Sequence, residues 1–248
     1  KKTGNDLFTD GLEIYTNLAI DAQKHLYEVT NSDTYVQYPD DEMQVAATLI
    51  DAKTGKVTAQ IGGRNIEEGT RLGDNLAVNT KRDVGSTVKP ITVYAPAFEY
   101  LDVSTGKTIV DEPYKYVGTN TPVQNWDNKY WGTMTLRTAL IESRNVPAVK
   151  LFNEVGADKI EDFLSRLGIQ YAKIQQANAI SSNTVDQDGT KYGMSSLKLA
   201  AAYAALSNGG TYNEPQYVNK IVFADGSEEV EAFKTPGIKA MEETTAYM

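Results

Sequence analysis

The sequence contains no cysteine, and its single histidine is His25. The first absence excludes disulfide frameworks, thiolate metal sites and thiol catalysis. With one histidine, a metal site would have to be built from carboxylates. His25 falls in a run with helical spacing, Asp21 to Val29, where it reads as a partly exposed polar residue, so no imidazole base is available for catalysis. Positive charge is in deficit: 24 Lys and Arg face 33 Asp and Glu, a net charge of −9. That balance argues against a nucleic-acid or anionic-membrane surface. No apolar run is long enough to span a bilayer, and no signal peptide is visible. The chain opens at Lys1 rather than Met and closes on the helix-like Ala240–Met248 with no stop signal. Both ends therefore read as cut, with room for targeting elements and further domains outside the frame.

What is present is ordinary globular composition. The 248 residues are 41% hydrophobic and 23% charged, enough for one large domain or two small ones. Gly11–Thr16 alternates weakly, as a short strand would. On the helix that follows, Leu18, Ala22, Leu26 and Val29 share one side. Val45–Asp51 and Lys56–Gly62 flank Lys53-Thr54-Gly55 and predict a hairpin, after which Gly62-Gly63 turns the backbone away. A polar connection, residues 64–84, leads to Gly85-Ser86-Thr87-Val88-Lys89-Pro90. An apolar helix is expected over Ile91 to Tyr100, with Pro90 in its first turn. Residues 102–132 read as a long ordered loop pinned by Tyr114, Tyr116, Trp126, Tyr130 and Trp131, equally suited to a binding wall or a structural excursion. Thr135 is a candidate cap for the next helix, which breaks near Ser143-Arg144-Asn145. Helices follow over 147–155 and 157–167, each ended by glycine, and over Ser195 to Leu206. Tyr217–Phe223 and Glu228–Phe233 flank Asp225-Gly226 as a second hairpin.

The pattern Ser-x-x-Lys occurs three times, and context separates the copies. Residues i and i+3 on a helix share a face and can meet. Ser104/Lys107 spans an interior glycine in a turn. Ser195/Lys198 opens a helix in which Ser195 serves as a cap. Ser86/Lys89 has a helix, a preceding glycine and a downstream polar partner, Ser143-Arg144-Asn145, at a tight junction between helices. Ser181-Ser182-Asn183 spells Ser-x-Asn too, but its polar surroundings, ending in Asp186-Gln187-Asp188-Gly189, read as solvated.

A serine hydroxyl needs a base within hydrogen-bond reach, and here that base must be a lysine. A lysine serves only if burial or a neighbouring cation brings its pKa down from about 10.4. Ser143 is placed to relay a proton between Lys89 and a leaving amine, and Asn145 to hold a substrate amide. The Ser86 N–H at a helix start favours a developing oxyanion.

In this order and setting, Ser86-Thr87-Val88-Lys89 followed by Ser143-Arg144-Asn145 resembles the transpeptidase domain of class A penicillin-binding proteins. Ile14-Tyr15-Thr16 with Gln23, Gln60-Ile61-Gly62-Gly63, Thr119-Asn120-Thr121-Pro122, Val146-Pro147-Ala148, Ala201-Ala202-Tyr203-Ala204 and Asn208-Gly209-Gly210-Thr211-Tyr212 extend the likeness over nearly the whole chain. The likeness is greatest to the 1a type of Gram-positive bacteria. It implies an α/β fold of the serine β-lactamase/D,D-peptidase kind: an antiparallel sheet flanked by helices beside an all-helical region. It implies a serine D,D-transpeptidase that cross-links peptidoglycan stem peptides of lipid II-derived glycan strands. Ser86, Lys89 and Ser143 would be catalytic, Asn145 would bind substrate, and β-lactam antibiotics would acylate Ser86. No metal or organic cofactor is implied, nor any nucleic-acid partner. Such a protein works at the extracellular face of the cell membrane, anchored through an N-terminal segment that this sequence lacks. Residues 1–41 would be the linker after an absent glycosyltransferase domain, and 42–248 a partial transpeptidase domain.

The sequence departs from the family at the third motif, Lys-Thr/Ser-Gly. The only such spelling, Lys53-Thr54-Gly55, precedes Ser86 and sits in the hairpin turn. The true motif and the strands that close the sheet are expected beyond Met248, leaving an exposed apolar sheet edge and an inactive fragment. A serine β-lactamase and a β-lactam-binding sensor are the alternative readings. No glutamate-bearing loop follows Ser143–Asn145, since Glu154 and Glu161 lie on solvated helix faces.

Overall fold

The computed structural model describes residues 6, 9–67, 69–70, 73–171, 173–185, 188–230, 233 and 235–248. It forms two compact units. The first comprises Lys1–Thr80, Ser195–Ala204 and Tyr212–Ile238; the second comprises Lys81–Met194, Ala205–Thr211 and Lys239–Met248.

In the first unit the expected hairpin is present, as Ala47–Ile50 paired antiparallel with Val57–Ile61. Strict alternation puts Val57, Ala59 and Ile61 on the buried side. The turn needs Gly55, whose φ is +73° and whose missing Cβ leaves room for Asn213. Thr54 is tied to the Asp51 carboxylate through its N–H at 2.8 Å and its hydroxyl at 2.7 Å, so Lys53-Thr54-Gly55 is turn chemistry.

The other edge of Val57–Ile61 is covered. The Gln23 side chain, on helix Ile20–Asn31, both donates to Gln60 O (2.9 Å) and accepts from Gln60 N–H (2.8 Å). Ala19 N–H reaches Thr58 O, and Val57 N–H reaches Gln216 O in a parallel bridge. An uncovered edge would leave these groups open to foreign strands. Ala47–Ile50 is the outer strand: among the described residues it pairs on one side only, and Leu49 is exposed. Glu13–Thr16 and Val218–Val222 pair antiparallel, and Val218–Val222 also pairs with Glu228–Glu229. The rest of that last predicted strand includes Glu231 and Ala232, outside the described residues. On Ile20–Asn31 the inward face holds Ala22, Leu26 and Val29 as expected, while Leu18 is exposed; His25 lies outward, edge-on to Tyr35.

The second unit is built on helix Asn145–Val155, which buries Val146, Pro147, Ala148, Val149, Leu151, Phe152 and Val155. A helix apolar on most sides belongs inside a core. Pro147 is tolerated because it lies in the first turn, where its missing N–H has no intrahelical acceptor. The helix packs against the run 90–100 and against Ala157–Arg166. Each fully buried Leu or Val contributes about 1.5–3 kcal/mol, so Leu151→Ala would cost about 2–5 kcal/mol.

Residues 102–132 differ from the single long loop expected. Thr108–Asp111 pairs with Gly132–Thr135, and Tyr114–Lys115 with Pro122–Val123. The aromatics form no single cluster, and Trp126, Tyr130 and Trp131 are exposed, but three of them tie the stretch down singly: Trp126 Nε1–H donates to Glu142 O at 3.1 Å, Tyr114 Oη accepts from Asn153 Nδ2 at 3.3 Å, and the Trp131 ring lies against Arg144. A buried ion pair, described below, holds it as well.

Candidate active site

Ser86 and Lys89 lie on one helical run whose winding changes along its length. Gly85–Val88 is 3₁₀, Pro90–Tyr94 is π and Ala95–Tyr100 is α. This replaces the uniform helix expected over Ile91–Tyr100. Pro90 explains the change: it has no N–H to give Ser86 O, and that carbonyl accepts from Lys89 N–H in a tighter turn. Pro90 O then receives its bond five residues on, from Ala95 N–H. Burial of Ile91, Val93 and the Tyr94 ring holds the wider turn in place.

The start of this run is clamped. The Asp83 carboxylate accepts from Gly85 N–H (2.9 Å), Ser181 Oγ (2.7 Å) and Ser182 N–H (2.9 Å). Burial alone would raise the Asp83 carboxyl, but these hydrogen bonds, led by that of Ser181, outweigh it and hold it below the usual carboxylate range. The Ser182 hydroxyl accepts from Val84 N–H and donates to Arg82 O, both at 3.0 Å. Ser182 is fully buried, so Ser181–Asn183 is not the solvated stretch its composition suggested. Its polarity serves the turn that carries Ser86.

Lys89 is fully buried. Its Nζ donates to Ser143 O at 2.7 Å, to Ser143 Oγ at 3.0 Å and to Asn145 Oδ1 at 2.7 Å. Three acceptors match the three protons of an ammonium. Burial, and next the positive charge of Arg144, lower its pKa from 10.5 to about 8. Once neutral, the amine offers a lone pair to which the Ser143 hydroxyl can donate.

The structure thus brings Lys89, Ser143 and Asn145 together. Ser86 stands three residues before Lys89, exposed at the surface, and its hydroxyl lies outside that hydrogen-bonded set.

The Ser143 corner has a backbone cause. Helix Leu136–Ile141, capped at its start by Thr135, ends with Ser143 N–H on Leu140 O and Arg144 N–H on Ala139 O. This is a Schellman ending, and its left-handed position commonly belongs to glycine. Here Ser143 occupies it with φ +49°. The strain turns the chain sharply enough that Ser143 and Asn145 both address Lys89.

Sequence reasoning passed over Arg144. It is fully buried, with Nε 2.9 Å from Asp111 Oδ2 and its guanidinium 4.5 Å from the Trp131 ring centre. Nη1 sits 3.0 Å from Asp127 Oδ1 as an ion pair, and Nη2 donates to Lys129 O. An arginine between two polar residues gives no burial signal in sequence; the partners, Asp111 and Asp127, are 33 and 17 residues away by numbering. The Asn145 carboxamide is fixed at its other end, where Nδ2 donates to Gln124 O at 2.8 Å. The other two Ser-x-x-Lys copies are structural: Lys107 pairs with Glu154, and Ser195 Oγ accepts from Lys198 N–H at 3.3 Å as a helix cap. Among the described residues no cluster of His, Cys, Asp or Glu could hold a metal ion.

Residues 45–247 match the penicillin-binding protein transpeptidase domain family. The chain is 55% identical to penicillin-binding protein 1A of Streptococcus pneumoniae over its whole length and 34% of that protein. It is 41% identical to penicillin-binding protein 1A/1B of Bacillus subtilis, again over its whole length and 26% of that protein. It thus spans about a third of the length of the curated relatives it matches. Among solved structures, PonA1 of Mycobacterium tuberculosis aligns with a TM-score of 0.75 at 20% identity, over 99% of this chain and 64% of that one. Penicillin-binding protein 1A of Haemophilus influenzae aligns with a TM-score of 0.66 at 23% identity, over 82% and 34% of the two chains. These structures share the α/β fold of penicillin-binding transpeptidase domains. Motif order, fold and the match over residues 45–247 together establish that the chain belongs to the penicillin-binding protein transpeptidase family.

Proposed function

We propose that this chain carries the acyl-transfer centre of a peptidoglycan cross-linking enzyme, with Ser86 as nucleophile and Lys89 as its base. The observation that carries this reading is the buried Lys89, lowered to about 8 and bonded to both Ser143 and Asn145. Neutral Lys89 takes the Ser86 proton as Oγ attacks the penultimate D-Ala carbonyl of a stem peptide. The Ser86 N–H is one donor to the resulting oxyanion. Collapse breaks the peptide bond, and the departing D-Ala amine takes the proton back from Lys89 through Ser143. An amine of a neighbouring stem then attacks the ester, gives up a proton by the same route and releases Ser86. Asn145 holds the amide of the donor stem.

A β-lactam enters the first half of this cycle by ring opening and stays on the serine. PonA1, of the same fold, has been solved in complex with penicillin V. We infer that residues 1–41 link to a preceding glycosyltransferase domain, and that a Lys-Thr/Ser-Gly strand supplies the second oxyanion donor in the full-length protein. The enzyme would then act at the extracellular face of the membrane.

The test is labelling with fluorescent penicillin followed by peptide mass mapping. The full-length protein is expected to label at Ser86, Ser86→Ala to remain dark, and residues 1–248 alone to label little. Label on another residue would overturn the reading.

A further inference from the structure

Asp111 is the node of the buried network around Arg144. Its Oδ2 accepts from Arg144 Nε (2.9 Å) and from Trp131 N–H (3.1 Å); its Oδ1 accepts from Asn125 Nδ2 (2.7 Å). Asn125 passes the link onward. Its Oδ1 accepts from the N–H groups of Asn145 (2.8 Å) and Val146 (3.2 Å), the opening residues of helix Asn145–Val155. Those groups have no intrahelical acceptor, and Asn125 supplies one. The second Asn125 proton goes to Lys129 O at 2.9 Å. Asp111 itself is held opposite Gly132 by the pairing of Thr108–Asp111 with Gly132–Thr135.

One fully buried carboxylate therefore neutralises the residue between Ser143 and Asn145 and also orients the carboxamide that seats Asn145. A buried ion pair is a poor device for stability, because well-packed apolar residues of similar volume do as well or better. Its position suggests geometric control.

We propose that Asp111 is a positioning residue for the acyl transfer: by fixing Arg144 and Asn125 it aims Ser143 and Asn145 at Lys89 without touching substrate. The inference rests on the acyl-transfer reading of Ser86. Asp127 provides the contrast. It pairs with the same guanidinium, but its side chain is 12% exposed and its carboxylate accepts from Lys129 N–H at 3.0 Å, whereas the Asn125 carboxamide donates to Asp111.

The experiment follows β-lactam acylation of the full-length protein by stopped flow, separating non-covalent affinity from the acylation rate constant, with melting temperatures in parallel. Wild type must label at Ser86 and Ser86→Ala must not; failure of that control removes the acyl-transfer reading itself. Asp111→Asn is expected to slow acylation about 10- to 100-fold, the scale of an ångström-sized misplacement, with a smaller loss of affinity through Asn145. Asp127→Asn removes the same charge from the same arginine and should lose only a fraction of that. Should Asp111→Asn not fold, Asn125→Ala cuts the link while leaving the ion pair, and the same slowing is expected. Wild-type acylation in these variants would overturn the proposal. So would an equal loss in Asp127→Asn, or recovery of the rate once the assay is run well below the variant's melting temperature.

Discussion

The buried Lys89 ammonium donates to Ser143 twice, to its carbonyl at 2.7 Å and to its hydroxyl at 3.0 Å. In the proposed acyl transfer this pair joins a base to a relay, and its protonation sets a pH profile. Only neutral Lys89 accepts the Ser86 proton, so the acylation rate should climb with pH and level off above about 8. Stability carries the same signature. The folded pKa lies below that of the unfolded chain, 10.5, so from about 8 to 10.5 the unfolded state binds the extra proton. Stability from this group rises with pH across that window; below it, the cost of burying the ammonium is present in full. Acylation rates and urea titrations at matched pH check both, and a rate flat from about pH 6 to about pH 9 would rule out the base role.

Ser143 holds a backbone conformation that suits glycine better, at φ +49°. Both Ser143→Gly and Ser143→Ala lose the hydroxyl's bond to Lys89, but Ser143→Gly also relieves the strain and should be more stable than Ser143→Ala by about 0.5–1 kcal/mol, while acylation falls about 10²- to 10⁴-fold for want of the hydroxyl. Ser143→Ala loses the hydroxyl and keeps the strain. Melting curves beside acylation rates distinguish the two; a Gly variant less stable than the Ala variant would contradict the strain assignment.

Ser182 ties down the turn before Ser86. Ser182→Ala leaves Val84 N–H and Arg82 C=O without their hydroxyl partner. Arg82 O keeps its bond from Met194 N–H, so Val84 N–H is the group left unpaired, and the expected loss is about 1 kcal/mol. Hydrogen exchange should show the change at Val84 first, ahead of global unfolding. Unchanged protection there would mean the clamp is not holding.

Two glycines with positive φ should respond differently to alanine. Gly210 has φ +85°, and a Cβ there would run into the Met241 carbonyl oxygen. Gly85 has φ +58° with open space around its missing Cβ. Gly85→Ala should cost only the left-handed penalty of about 1–2 kcal/mol. Gly210→Ala adds a backbone clash and should cost clearly more. Chemical denaturation of both variants measures the difference; equal losses would mean the chain near Met241 gives way freely.

The chain by itself determined the candidate residues and many of the elements around them. Ser86, Lys89, Ser143 and Asn145 were legible because short motifs in order, each beside a helix boundary, are local patterns. The Ala47–Ile50 and Val57–Ile61 hairpin, the Thr135 cap and the glycine stops were legible for the same reason: turn and cap chemistry acts within a few residues. Tertiary structure alone decided what surrounds them. The 3₁₀-to-π winding after Ser86 needs both the missing N–H of Pro90, which is local, and core packing, which is not. Nothing in the spelling of Ser143-Arg144-Asn145 reveals that Arg144 is buried against Asp111, or that Asn125 seats Asn145. Nor does the polar run at Ser181–Asn183 announce that Ser182 is buried beneath the turn that carries Ser86. A buried charge or hydroxyl is tolerated only when distant partners complete its hydrogen bonds, and those partners are brought to it by the fold.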